Sequence, residues 1–232
     1  MESNMQDILI ATEAQKRGLD RRIGERHYRA YVGPAESYDA TASNQFNVLC
    51  QSGLREEHAV LDIGCGSLGA GRLLMAFLLP GRYFGIEPER WLVEGGIREE
   101  LGREFVRMKQ PTFDYNAEFN LGVFRRQFDF LLAHSIFAHT PKNVLEKCFA
   151  EGRRVLKPDG LFVATFMEGE LDYEGDRWIY PDQARYTAEY IDAAAGRAGL
   201  LCNFPTWTQP TGQRWFVLHH PDHSPNLGPS PA

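Results

Sequence analysis

The run VLDIGCGSLGAGR, from Val60 to Arg72, limits the fold more than any other stretch of the chain. AVLDI is a short apolar run bounded by a loop, the pattern of a strand buried on both faces. Gly64 and Gly66 follow, where the backbone must turn tightly and let a ligand or another segment come close. LGAGRLLMAFLL then reads as an apolar helix stopped at Pro80-Gly81. Strand, glycine loop and helix together open a βαβ unit, which commits the chain to parallel strands joined by right-handed crossovers.

Alternation continues downstream. RYFGIE predicts a second strand ending at Glu87, and Pro88 suits the first position of a helix over PERWLVEGGIREEL, which Gly95-Gly96 weakens. FDFLLAH predicts a strand from Phe128. Thr140-Pro141 predicts a helix start with Thr140 as cap, and the helix ends before the turn Lys157-Pro158-Asp159-Gly160. LFVATFM is the next strand. After a long loop come the helix TAEYIDAAAGRAG and two last strands, LLCNFPTW and RWFVLHH, around the turn QPTGQ. The expected fold is therefore α/β: a doubly wound, mostly parallel, seven-stranded sheet with a terminal antiparallel hairpin and helices on both faces. Residues 1–45 are read as an N-terminal helical arm and cap, 46–220 as the Rossmann-like domain, and the Pro/Ser/Gly-rich residues 221–232 as a disordered tail.

Composition narrows the function. The 232 residues carry a formal net charge of −6, which speaks against a nucleic-acid partner. No apolar run approaches the ~18 residues of a membrane span, and the N-terminus has no signal pattern, so no membrane partner and a cytoplasmic location are expected. Cys50, Cys65, Cys148 and Cys202 are widely spaced, and His219, His220 and His223 lack ligand partners, so neither a disulfide framework nor a metal site is expected. Oligomeric state leaves no trace in the sequence.

In a doubly wound sheet, ligands bind beyond the carboxyl ends of the strands, where strand order reverses. The glycine loop, Glu87, the segment after Leu132 and the loop after Met167 should converge there. GCGSLG matches G-x-G-x-x-G, a dinucleotide fingerprint. Asp62, two residues ahead, works against a pyrophosphate and suits a ligand with cationic groups. Glu87, 18 residues after Gly69, can accept the hydroxyls of a ribose and fits either ligand.

VLDIGCGS, FGIEP, Phe128-Asp129 at a strand start and RRVLKPDGLFVATF resemble, in order and spacing, the class I S-adenosylmethionine-dependent methyltransferases, over roughly residues 45–220. The resemblance implies S-adenosyl-L-methionine as cofactor, no metal, and transfer of a methyl group to a small-molecule acceptor, with a hydroxyl oxygen foremost. It implies cofactor contacts from Asp62, Gly64, Cys65, Gly66 and Leu68 on the loop and from Glu87 and Pro88 at the second strand end. Asn116 and Ala117 fall where the family has an acidic residue at the adenine edge, with Asp114 and Glu118 as alternatives for that part, and Ala133 and Ser135 where a strand end runs beneath the cofactor. Leu68 departs from the pattern, standing where the family's loop usually has glycine. Two rivals remain at this point: an NAD(P)-dependent oxidoreductase using the same loop, and a protein that binds the cofactor without catalysis.

A hydroxyl acceptor needs a base. His134 and His139, in AHSIFAHT, lie beyond a strand end and are the candidate catalytic residues. Tyr173, Trp178 and Tyr180 after the LFVATFM strand, with Tyr31 and Tyr38 from the N-terminal segment, are placed to cover the cleft from two sides.

Overall fold

The computed structural model describes residues 13–228. The first twelve residues of the expected helical arm lie outside them. Residues 13–17 are helical, and short 3-10 turns at Ala30–Val32 and Ala35–Ser37 lead into helix α1, Tyr38–Gln51.

Strands β1 (Val60–Ile63), β2 (Tyr83–Ile86), β3 (Thr112–Asp114), β4 (Phe128–Ala133), β5 (Leu156–Glu168), β7 (Leu201–Asn203) and β8 (Arg214–His219) form a sheet in the order β3-β2-β1-β4-β5-β8-β7. Strand β6, Arg185–Tyr186, pairs with β5 off this path, which gives an eighth strand beyond the seven expected. All pairings from β3 to β5 are parallel; β8 runs antiparallel to both β5 and β7. Order reverses between β1 and β4, so the crevice lies at their carboxyl ends.

Alternate residues explain the two-sided burial. Leu61, Leu131, Phe162 and Phe216 point to one face, where helices α5 (Lys142–Val155) and α6 (Ala188–Arg197) cover them with Leu145, Phe149 and Ile191. Val60, Phe130, Val163 and Trp215 point to the other, under α1, α2 (Gly69–Phe77) and α3 (Arg90–Gly96), which supply Val48, Leu74 and Val93. Leu227 packs against this second cluster, so the Pro/Ser/Gly-rich end touches the core as far as the described residues run.

Several local expectations change. Helix α3 runs on into a π-helical turn, Ile97–Leu101, before α4 (Arg103–Lys109). Gly96 is there for close approach: a Cβ on it would lie 2.1 Å from the Ser67 carbonyl oxygen, so only glycine lets α3 abut the loop. Thr140 does not cap α5; its hydroxyl donates to the Ile136 carbonyl at 3.2 Å, and Pro141 occupies the cap position. Lys157–Gly160 lies inside the long strand β5, where the register with β4 shifts, and is not a break before it.

Candidate active site

Above the β1–β4 crevice lies a cavity of about 800 Å³. Every candidate site residue lines it except Leu68 and Ala133. Leu68 is fully buried in the second core cluster, with φ +66° and ψ 32° at the cap position of α2. It holds the left-handed conformation that glycine holds easily, yet uses its side chain to fill the core. Ala133, the last residue of β4, is buried in the first cluster; the cavity begins one residue later, at His134.

The loop after β1 is held by β2. Gly64 and Cys65 donate their backbone N–H groups to the Ile86 carbonyl, at 2.8 and 3.0 Å. Gly64 has φ +71°, and a Cβ there would meet Ile136 at 2.1 Å. Gly66 N–H donates to Glu87 Oε2 at 2.9 Å, and Glu89 N–H to Glu87 Oε1 at 2.9 Å. The Glu87 carboxylate is thus fixed by two backbone donors with lone pairs left over for a ligand. Burial still pushes its pKa up.

Asp62 is buried and accepts the Tyr83 hydroxyl at 2.7 Å. Burial raises its pKa to about 7; the Tyr83 bond opposes this and Glu87 adds to it. The Cys65 thiol, also in the wall, is pushed well above its usual range by burial, so it is an inert neighbour and not a nucleophile. Asn116 is spent on its own loop: its Nδ2 donates to Asp114 Oδ1 at 2.6 Å, and its Oδ1 accepts Asn120 N–H at 2.9 Å. Pro88 and Ala117 contribute apolar wall.

The two histidines differ. Gln209 uses its Oε1 on the backbone N–H groups of Thr211 and Gln213, so its Nε2 faces His134 Nε2 at 2.7 Å as donor. That fixes His134 as a neutral ring with Nε2 occupied, and burial lowers its pKa to about 4. His139 is bonded the other way. Its Nδ1 lies 2.7 Å from the Asp182 carbonyl, which can only accept, so Nδ1 carries the proton and Nε2 the lone pair. Burial lowers the His139 pKa, and the bond to Asp182 opposes the shift. His139 Nε2 has no hydrogen-bond partner among the described residues.

Some wall residues escaped sequence reading. Ser135 N–H donates to Thr165 Oγ1, Thr165 Oγ1 to Gln213 Oε1, and Gln213 Nε2 to Ser135 Oγ, at 2.7–2.8 Å, closing a ring of polar contacts. QPTGQ was legible only as a turn; β8 runs antiparallel beside β5, and this brings its first residues to the ligand edge. Across the cavity, Tyr38 donates its hydroxyl to the Ser67 carbonyl at 3.0 Å. The N-terminal segment and the loop after β5 meet over the cavity: the Tyr180 hydroxyl donates to the Tyr31 carbonyl, with ring centroids 5.7 Å apart. Trp178 stacks on Phe119; Tyr173 packs against the first core cluster and does not line the cavity. His219 sits apart at the end of β8, hydrogen-bonded to Asn203.

A doubly wound sheet with a glycine loop, an acidic second strand end and a deep cleft at the reversal point defines a Rossmann-like α/β protein for an adenosine ligand. The cleft chooses between ligands. A pyrophosphate needs free loop amides and tolerates no buried carboxylates; here Gly66 N–H already serves Glu87, and Asp62 stands behind it. S-adenosylmethionine, with an ammonium, a sulfonium and ribose hydroxyls, fits these groups.

Comparison with known proteins agrees. Residues 61–164 match the family described as "Methyltransferase domain", and the Rossmann-like fold is the one shared by class I, S-adenosylmethionine-dependent methyltransferases. The chain is 28% identical over 201 residues to a malonyl-[acyl-carrier protein] O-methyltransferase of Geobacter sulfurreducens, covering 78% of this chain and 71% of that protein. It is 31% identical over 146 residues to a sterol 24-C-methyltransferase of Neurospora crassa, covering 59% of this chain but only 35% of the sterol enzyme. In structure it is similar to the magnesium protoporphyrin IX methyltransferase of Synechocystis with bound S-adenosylhomocysteine, at TM-score 0.63 and 15% identity, over 94% of this chain and 100% of that one. The oxidoreductase reading of the glycine loop is thereby set aside. No helix among the described residues is long and apolar enough to cross a membrane.

Proposed function

We propose that this protein transfers a methyl group from S-adenosylmethionine to the hydroxyl oxygen of a small-molecule acceptor, with His139 Nε2 as the base. The observation that carries the reading is the unpartnered Nε2 of a His139 whose tautomer is fixed by Asp182, on the wall of the cavity. Relatives named for methylation at oxygen and at carbon bracket the chemistry without choosing the acceptor.

When bound, the cofactor supplies an electrophilic methyl group on a sulfonium sulfur. Glu87 is placed to accept the ribose hydroxyls, with Gly66 and Glu89 N–H groups holding its carboxylate still. Asp62 is suited to the ammonium group. Asn116, spent on its loop, shapes the adenine edge through its backbone and Ala117 more than through its amide. His139 Nε2 takes the acceptor's proton as the oxygen becomes the nucleophile, and the Asp182 carbonyl steadies the imidazolium that forms. His134 has no free nitrogen to accept a proton at Nε2 and is assigned a wall role beside Trp215. Tyr31 and Tyr180 close the cavity and exclude water.

The test is a turnover assay over hydroxyl, amine and thiol compounds with the methyl group of the cofactor labelled. An O-methyl product, with turnover reduced about 10²-fold or more in His139→Ala and far less in His134→Ala, supports the reading. Normal turnover in His139→Ala, or an N-methyl product, removes it.

A further inference from the structure

The cavity is larger than a glycine loop and a ribose site require, and its charge says what else enters. Five charged side chains line it: Arg29, Glu36, Asp62, Glu87 and Glu89. Four are carboxylates. The single cation is already used. Arg29 is 8% exposed, its Nε donates to Glu100 at 2.9 Å, its Nη1 pairs with Asp39 at 3.2 Å, and its Nη2 pairs with Glu100. No lysine lines the cavity among the described residues.

The neutral part of the wall points the same way. His139 is nine-tenths buried, lines the cavity, and has an Nε2 with no hydrogen-bond partner among the described residues. The hydroxyl of Thr41, another wall residue, is buried without a partner. Tyr31, Trp178 and Tyr180 line the same cavity, and aromatic rings attract cations and flat neutral groups. With Asp62 and Glu87 given to the cofactor, an acceptor with a carboxylate or phosphate would meet Glu36 and Glu89, both exposed on the wall, and no free side-chain cation.

We infer that the acceptor carries no anionic group: it is a neutral or cationic hydroxyl compound, and the surrounding carboxylates select against acids. This rests on the methyltransferase reading and adds the charge class of the acceptor to it. His139 and Thr41 supply the polar contacts, the aromatic faces supply the packing, and Glu36 and Glu89 at the cavity supply the repulsion.

The experiment uses the full chain loaded with S-adenosylhomocysteine. Matched sets on phenol and cyclohexanol scaffolds, each bearing an amine, an amide or a carboxylate (tyramine, 4-hydroxyphenylacetamide and 4-hydroxyphenylacetate in the phenol set), are titrated by ligand-observed NMR. The amine and amide forms bind about tenfold or more tighter than the carboxylate. Glu36→Lys narrows that gap, whereas the same charge change at Glu104→Lys, on the exposed face of α4, leaves it as it was. An equal response across the three forms, whether equal binding or none by any of them, overturns the inference. The first titration, before any acceptor is added, tests the reading beneath it: a chain that fails to bind S-adenosylhomocysteine fails as a methyltransferase, separately from its charge preference.

Discussion

At the scale of single residues, Leu68 shows how two opposed demands are met. Its left-handed backbone costs about 1–2 kcal/mol for a residue with a Cβ. Its buried side chain contributes more: truncating a buried leucine costs about 2–5 kcal/mol. Leu68→Gly relieves the first and forfeits the second, so it lowers stability by up to about 4 kcal/mol, read by urea unfolding. A more stable Leu68→Gly protein would show that the backbone term dominates. The sequence marked Leu68 as the odd residue of the loop but gave it to the ligand, because a glycine position near a cofactor says nothing about which way a larger side chain will turn. His139 makes a second prediction. Burial holds its pKa below the usual imidazole value, so its base form persists through neutral pH. The rate of the chemical step is flat from neutral pH upward and falls only as pH drops below about 6.5, the ordinary histidine value. A rate that falls between pH 8 and 7 would assign the base to another group.

At the scale of elements, the N-terminal segment is fastened by charges that lie far away in sequence. Glu100, on the π-helical turn after α3, accepts Arg29, Arg72 and the Tyr28 hydroxyl, and Asp39 on α1 pairs with both arginines. Arg29 and Arg72 flank the Tyr38 ring at 4.7 and 5.4 Å. Glu100 and Arg29 are nearly buried, so removing one partner strands a charge. Glu100→Ala destabilises the protein by about 2–4 kcal/mol and speeds proteolysis before Tyr38, whereas Arg98→Ala, which loses only the exposed pair with Glu99, shifts stability by less than about 1 kcal/mol. Equal unfolding midpoints for the two variants would count against the clamp. The sheet itself was largely legible, since β1, β2, β4, β5 and β8 are apolar runs between turn signals. Strand β3 was not: its three residues are partly exposed and carry no period. The clamp was not legible either, because a pair 71 residues apart leaves no local pattern.

At the scale of the molecule, placing the cofactor's ammonium against Asp62, as proposed, couples ligand binding to a proton. Asp62 lies at the strand-order reversal of the sheet, roofed by α2, with Tyr83 as its hydrogen-bond partner. Its pKa is about 7 when folded against 3.8 for the free side chain. The folded chain therefore binds more protons than the unfolded chain between those values, and stability falls as pH rises from about 4 to about 7. An ammonium group in the cleft favours the ionised form, so the cofactor's binding expels the proton that burial retains. The affinity for S-adenosylhomocysteine rises by up to about tenfold per pH unit below pH 7 and levels off above it. Calorimetry at pH 6.5 in buffers of different ionisation enthalpy reads the proton directly. Asp62→Asn keeps an acceptor for Tyr83 but no charge. It makes the free protein more stable at pH 8, weakens binding there, and abolishes proton release. Proton release that survives in Asp62→Asn would move the coupling to Glu87, whose raised pKa makes it the other carboxylate of the cleft able to carry it.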